Sequence, residues 1–484
     1  MDFLLSIWSL FQKNILTQPA FFVGLLVFIG YLLLKRPFYQ AYAGFVKATV
    51  GYLILNVGSG GLVSTFRPIL AGLNQRFNLN AAVIDPYFGQ SAANAAIESI
   101  GRTTSLVMVG LLVAFFLNIL LVALQKITKI RTLFITGHIM VQQSATALWM
   151  TLFCFPQLQD MTIVVMMGIL LGIFWAVSSN LTVEPTQRLT EGGGFAVGHQ
   201  QMFGIWLVDK LAPKIGGKNA KQIEDLELPG WLSIFSDNIV ATSTLMILFF
   251  GILLTILGKD FLVNDLKVSM SVSFPFYIMT TAFNMAVYLS ILQLGVRTFV
   301  AELTESFTGI SEKLLPGSVP AVDCAATYGF GSANAPIVGF FFGCLGQFLA
   351  IIGLIVFKSP ILIITGFVPV FFDNATFAVF ANKASGLKAA AILTFCSGII
   401  QVLGGAVCAS LFQTYQYGGW HGNFDMDTVW LFGGALQKFA GIAGYVICIV
   451  LLLLIPQLQY RKDPEHYFEV VSDYEAYKEA KGIE

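Results

Sequence analysis

Stretch after stretch of this chain runs for about 20 residues with scarcely a charge, the length a helix needs to cross the hydrocarbon of a bilayer. Such runs cover residues 20–34, 39–57, 103–125, 132–155, 161–179, 231–257 and 268–296, then 336–357, 360–382, 388–412 and 428–458. They predict an all-α polytopic membrane protein with about eleven transmembrane helices. Composition agrees. Of 484 residues, 56% are hydrophobic and only 11% charged, against about 25% charged in a soluble domain. So few charges cannot cover the surface of a protein this size, so lipid must cover much of it. The net charge of zero leaves no electrostatic footprint for nucleic acid. The six cysteines (Cys154, Cys324, Cys344, Cys396, Cys408, Cys448) lie in or beside apolar runs without paired spacing. They read as small core residues, with neither a disulfide framework nor a metal site expected. Residues 2–11 lack a cleavage site and read as an interfacial helix on the membrane.

Two stretches are polar: a connector over 181–229 and a charged tail over 459–484. The tail mixes both signs (Arg461, Lys462, Asp463, Glu465) without an apolar period, which predicts a solvated cytoplasmic segment. Basic residues are scattered too evenly for the positive-inside rule to orient the chain strongly.

An internal repeat organises the rest. Ala82-Val83-Ile84-Asp85-Pro86-Tyr87 with Ser91-Ala92-Ala93-Asn94-Ala95 returns loosely as Ala321-Val322-Asp323-Cys324, Tyr328 and Ser332-Ala333-Asn334-Ala335. Ile135-Thr136-Gly137 returns as Ile364-Thr365-Gly366, and Gly198-His199-Gln200-Gln201-Met202-Phe203 has a fainter echo over 434–439. Three collinear matches point to two homologous halves, 1–230 with its polar connector and 231–458, before the tail. About five spans separate each feature from its copy, and an odd number inverts the second half; inverted repeats with broken or re-entrant helices at their interface build transporter sites.

Polar groups within apolar runs are the candidates for chemistry. His138 and Gln142 stand four apart, on one face of a helix, fit either to line a site or to bond a neighbouring helix. Gly192-Gly193-Gly194 leads into His199 and Gln200, a loop that lacks the Gly-Lys-Ser/Thr ending of a phosphate loop and could equally be an exposed connector. Asp85, followed by Pro86, suits a helix cap; Asp323, followed by Cys324-Ala325-Ala326, suits a site. Ser59 and Asn56, around a break expected at Gly58-Ser59-Gly60-Gly61, form a weaker group. Donors and acceptors together, with few cations, suit a small polyhydroxylated molecule or a singly charged acid better than a phosphate ester.

These motifs carry a resemblance. Gly58-Ser59-Gly60, Ser64-Thr65-Phe66-Arg67-Pro68, Thr136-Gly137-His138-Ile139-Met140, Gln142-Gln143, Gly198-His199-Gln200-Gln201, Leu228-Pro229-Gly230-Trp231, Asp237-Asn238, Phe299-Val300-Ala301-Glu302-Leu303 and Asp323-Cys324-Ala325-Ala326 resemble the L-ascorbate-specific EIIC permeases of the bacterial phosphotransferase system, over nearly the whole chain. The resemblance implies a homodimer in the bacterial inner membrane, with eleven spans per protomer. Each protomer would be divided into a dimerisation domain and a substrate-carrying core that moves elevator-fashion. It implies no catalysis by the chain itself and no cofactor or metal. A phosphorylated cytoplasmic EIIB, supplied by EIIA, would modify L-ascorbate. The implied binding residues are Pro86, Tyr87, His138, Gln142, His199, Gln200 and Asp323, with Ser59. Position 86 departs from the family's hydroxyl residue, so only backbone or Tyr87 contacts are implied there. The alternatives are an ion-coupled secondary transporter, suggested by Asp85 and Asp323, and an intramembrane enzyme, for which no metal-ligand spacing or nucleophile–base motif is visible.

Overall fold

The computed structural model describes residues 18–77, 80–217, 220–225, 230–231, 234, 237–315, 318–332 and 334–482, so the interfacial helix expected over 2–11 lies outside it. Helices α1 (Pro19–Leu33) and α2 (Phe38–Phe77) come first, then strand β1 (Asn80–Ile84), α3 (Pro86–Ser99) and α4 (Ser105–Ala123). Next are β2 (Thr132–Phe134), α5 (Gly137–Cys154), α6 (Asp160–Leu181), α7 (Val183–Thr190), β3 (Ala196–Val197) and α8 (Met202–Gly216). After α9 (Asn238–Leu257) and α10 (Phe274–Leu314), a strand again opens the series: β4 (Val319–Val322), a 3₁₀ turn over Cys324–Phe330 and α11 (Ala335–Val356). Then follow β5 (Ile361–Thr365), α12 (Asn374–Leu411), β6 (Gly419–Trp420), α13 (Val429–Lys462) and α14 (Tyr474–Lys481).

Five helical stretches among the described residues are long and apolar enough to cross a membrane: Ser105–Ala123, Asp160–Thr190, Ala335–Val356, Pro369–Leu411 and Phe424–Lys462. Shorter apolar helices cover Val23–Leu33 and Met246–Leu257. Their outer faces carry side chains such as Phe116, Leu120, Ile352 and Phe357, exposed on the protein and suited to lipid. The chain is a multi-pass membrane protein.

Helices α1, α2, α9 and α10 pack on one another as one unit. The two longest, α2 and α10, cross where Gly51 and Gly295 let the backbones meet: a Cβ at Gly295 would stand 2.3 Å from Leu55 N. Here one expectation fails. The Gly58-Ser59-Gly60-Gly61 run does not break the helix; α2 continues through it. The ring of Tyr288 fills the space a Cβ at Gly61 would need, at 2.1 Å, so this glycine serves helix packing and not a re-entrant turn. Glu302 is a pairing residue in this unit. It accepts from Tyr31 Oη at 2.7 Å and pairs with Lys47 at 2.9 Å.

The remaining elements surround two three-stranded, wholly parallel sheets. One has the order β5–β1–β6 and the other β2–β4–β3. Each takes its central strand from one half of the chain and both outer strands from the other. Strands within a bilayer protein are tolerable only where protein covers their edges, and these are covered: β1 is buried from Ala81 to Ile84, and β2 throughout. Strand order also revises one repeat match. The element equivalent to β3 is β6, so the counterpart of Gly198–Phe203 is the segment His421-Gly422-Asn423-Phe424, and residues 434–439 lie inside α13.

Two long helices fold back on themselves at glycines in the left-handed region. In α12 the reversal falls at Ser385 and Gly386 (φ +73°), and in α13 at Gly441 (φ +57°). Around Gly441 the flanking segments meet closely: Cys448 Sγ lies 3.6 Å from Gly433 O.

The tail is not a solvated segment. Tyr467, Val470, Tyr474 and Tyr477 are buried, and the last three pack with Val183, Ala196, Val319 and Ala321 against the β2–β4–β3 sheet. The Arg131 guanidinium lies 3.8 Å from the Tyr467 ring, and Asn180 Nδ2 donates to Tyr467 Oη at 2.8 Å. These residues come from a turn, the short helix Glu469–Ser472 and α14, and were masked in sequence by the charges between them.

Candidate functional site

Parallel strands end on the same side of their sheet, so whatever follows each strand is delivered to a common edge. In β2–β4–β3 this edge receives three titratable groups. His138 is the second residue of α5, just beyond β2; Asp323 follows β4 directly; His199 lies two residues beyond β3. His138 Nε2 is 3.4 Å from Asp323 Oδ2, and His199 Nε2 is 3.9 Å from Asp323 Oδ1. Asp323 Oδ1 also accepts from Ala325 N at 2.9 Å, which fixes the carboxylate as the cap of the turn that follows. His199 is 4% exposed at its side chain and Asp323 39%, so the group opens outward from the carboxylate.

Hydrogen bonding fixes the form of His199. Gln201 Oε1 accepts from the main-chain N–H of Gln200 at 2.9 Å and lies 2.7 Å from His199 Nδ1. An oxygen that accepts cannot donate, so Nδ1 carries a proton. Gln201 is itself held through Nε2 by Thr376 Oγ1 at 3.0 Å. In the neutral imidazole the lone pair of Nε2 therefore faces Asp323 Oδ1. Two acceptors at this range call for a donor between them, either a proton on the ring or a hydroxyl from a ligand.

A glutamine relay lies behind the histidines. Trp175 Nε1, which can only donate, gives to Gln143 Oε1 at 2.7 Å. That orients Gln143, whose Nε2 donates to Gln200 Oε1 at 2.8 Å, and Gln200 Nε2 then donates to Gln142 Oε1 at 2.9 Å. Gln142 is left with an amide group that finds no acceptor among the described residues, one turn along α5 from His138. His421, from the end of β6, joins the relay by donating from Nε2 to Gln200 Oε1 at 2.8 Å, while Thr146 Oγ1 lies 2.8 Å from its Nδ1.

The structure thus brings together His138, Gln142, His199, Gln200 and Asp323. Pro86 and Tyr87 open α3 beyond the other sheet, at β1; both are buried, and Gly89 one turn on lies against the backbone of His421. Ser59 sits on α2 in the four-helix unit, with its side chain outside the described part of the structure. Asp85 caps α3, accepting from Tyr87 N at 2.9 Å and Val368 N at 3.2 Å. Ligand atoms of His138, His199 and Asp323 lie within 4.8 Å of one another, a donor set that a divalent cation could also use.

Residues 14–438 match the family described as the sugar-specific permease component of the PTS system, EIIC-GAT. The chain belongs to that family. A relative, the ascorbate-specific PTS system EIIC component of Mycoplasma pneumoniae, is 35% identical over 443 residues, spanning 83% of this chain and 66% of its own length. In this PTS permease component, sequence reasoning missed His421 and Trp175, and quoted Gln143 and Gln201 within its motifs without giving them a role. His421 was within reach. It directly follows β6 in the second half, one position from the place that His199 holds after β3 in the first, and strand ends rather than the glycines of 434–439 point to it. Trp175 carried no signal, being one aromatic among many in an apolar run.

Proposed function

We propose that this permease binds L-ascorbate at the edge of the β2–β4–β3 sheet and carries it across the bacterial inner membrane, where a cytoplasmic phosphorylated EIIB, recharged by EIIA, modifies it. The observation that carries this is the placing of Asp323 between two imidazoles, beside the free amide of Gln142. Asp323 accepts from ligand hydroxyls, His199 Nε2 takes a second hydroxyl, and the Gln142 amide gives to a ring oxygen or enolate of the sugar acid. The name of the 35% identical relative supports ascorbate as the substrate. Tyr87 and the backbone at Pro86 close the site from the opposite sheet.

The protomer works as two units. The α1–α2–α9–α10 unit makes the homodimer and stays fixed, and the sheet-bearing core travels with the sugar in an elevator motion. Repetition of the order strand, helix, span, strand, span, strand in both halves supports inverted repeats, with eleven spans in all. Chemistry belongs to the partner, so the chain is a carrier and has no catalytic residue of its own.

Vesicles containing the protein take up labelled L-ascorbate only when phosphorylated EIIB is supplied; uptake indifferent to EIIB sinks this proposal. Ion coupling is the competing function. It drew on Asp85 and Asp323 as a pair, and Asp85 has both oxygens engaged by backbone N–H groups. Uptake driven by a proton or sodium gradient alone would favour it.

A further inference from the structure

A cavity with charged lining lies away from the proposed sugar site. Its volume is about 420 Å³, and α7, α8, α12 and the tail helix α14 enclose it. Its charged lining is Arg188, Lys210, Lys383 and Lys478 against Glu191 and Asp209, an excess of two positive charges. The acids do not neutralise it evenly. The Arg188 guanidinium is bound to Asp209, a largely buried carboxylate that also lies 3.4 Å from Lys210 Nζ. Lys210 is in addition 3.9 Å from Glu184, which stands outside the lining. Lys383 meets Glu191 at 3.4 Å with both side chains well exposed, a geometry worth little in water. Lys478 has no ion-pair partner among the described residues.

Position gives the cavity meaning. Helix α8 begins directly after Gln201, and Asp209 and Lys210 lie two turns further on, about 10 Å along the axis. Thr376 of α12 bonds Gln201, and Lys383 likewise lies two turns beyond it. Both helices thus run from the sugar site to the cavity, and the polar tail covers the far end. Phe380, Pro185 and Pro213 add apolar wall.

We infer that this cavity is a seat for a small phosphate monoester, a dianion drawn by the net positive lining and small enough for the volume. Arg188, oriented by Asp209, faces the phosphate oxygens, and the mobile charges of Lys383 and Lys478 close on it. The inference rests on the proposed coupling to phosphorylation, which makes a phosphate ester of the transported sugar.

The full-length protein in detergent is titrated with inorganic phosphate and with ribose 5-phosphate at fixed ionic strength, reading ³¹P line broadening. Wild type binds both, and the double variant Lys383→Gln/Lys478→Gln binds roughly tenfold more weakly while still binding ascorbate, which shows that it folds. His138→Ala loses ascorbate and keeps phosphate, so failure of the sugar-site proposal is seen separately. Equal phosphate binding by the double variant overturns the inference, as does displacement by chloride as readily as by sulfate. If the double variant impairs only docking of phosphorylated EIIB and neither small phosphate, the cavity is a protein interface and the inference falls.

Discussion

Asp85 and Asp323 hold equivalent places in the two halves of the chain, each directly after a central strand and each capping the turn or helix that follows. Their second oxygens differ. That of Asp85 accepts from Val368 N in the partner half, and the whole residue is buried, pressed against Gly366. The corresponding oxygen of Asp323 faces His138 and is open. Two carboxylates in matching places thus have different second partners, a backbone N–H from the other half for Asp85 and a histidine for Asp323. The difference lies in what stands opposite: a backbone N–H in one sheet, two imidazoles in the other.

The strongest way to break that contrast is at Asp323. Asp323→Ala should weaken ascorbate binding about a hundredfold, the worth of one or two charge-assisted hydrogen bonds, with a smaller loss of thermal stability than Asp85→Ala. Binding within twofold of wild type would return Asp323 to a structural cap. Asp85→Ala should do the reverse, lowering stability by about 2–3 kcal/mol through loss of a buried cap and a cross-half bond, measured by thermal melting in detergent. An unchanged melting temperature would mean the two aspartates are not divided as described. Trp175→Phe sharpens the comparison from behind the site. The indole touches Gln143 and orients the relay, so ascorbate affinity should fall roughly three- to tenfold without any lost ligand contact. Rescue is not expected from a second change at Gln143, because the orientation of Gln142 would still be unspecified. The smallest effect expected is that of a chelator: if hydroxyls and not a metal sit between the histidines, EDTA leaves ascorbate affinity unchanged, and a loss would assign a cation to His138, His199 and Asp323.

Much of the site was legible because buried polar residues in apolar runs stand out. His138 and Gln142 were singled out that way, His199 and Gln200 as hydrogen-bonding groups after a glycine-rich loop, Asp323 through the repeat, and the cap at Asp85 followed from Pro86. The fold was less so. Glycine clusters are ambiguous: Gly58-Ser59-Gly60-Gly61 could break a helix or let one pack closely, and only Tyr288 lying against Gly61 decides. The six short strands gave no period-2 signal, since strands buried on both faces read as apolar runs. Tyr467, Val470, Tyr474 and Tyr477 were hidden for the opposite reason, being spaced among charges whose other faces meet water.

The exchange of strands between the halves has a consequence for how this protein is made. β1 finds its neighbours only when β5 emerges, about 280 residues later, and β4 must be inserted between strands laid down long before. Until then each half waits in the bilayer as an unfinished clasp, its strand edges open. Synthesised as two separate polypeptides, the pieces would have to associate before either sheet was complete.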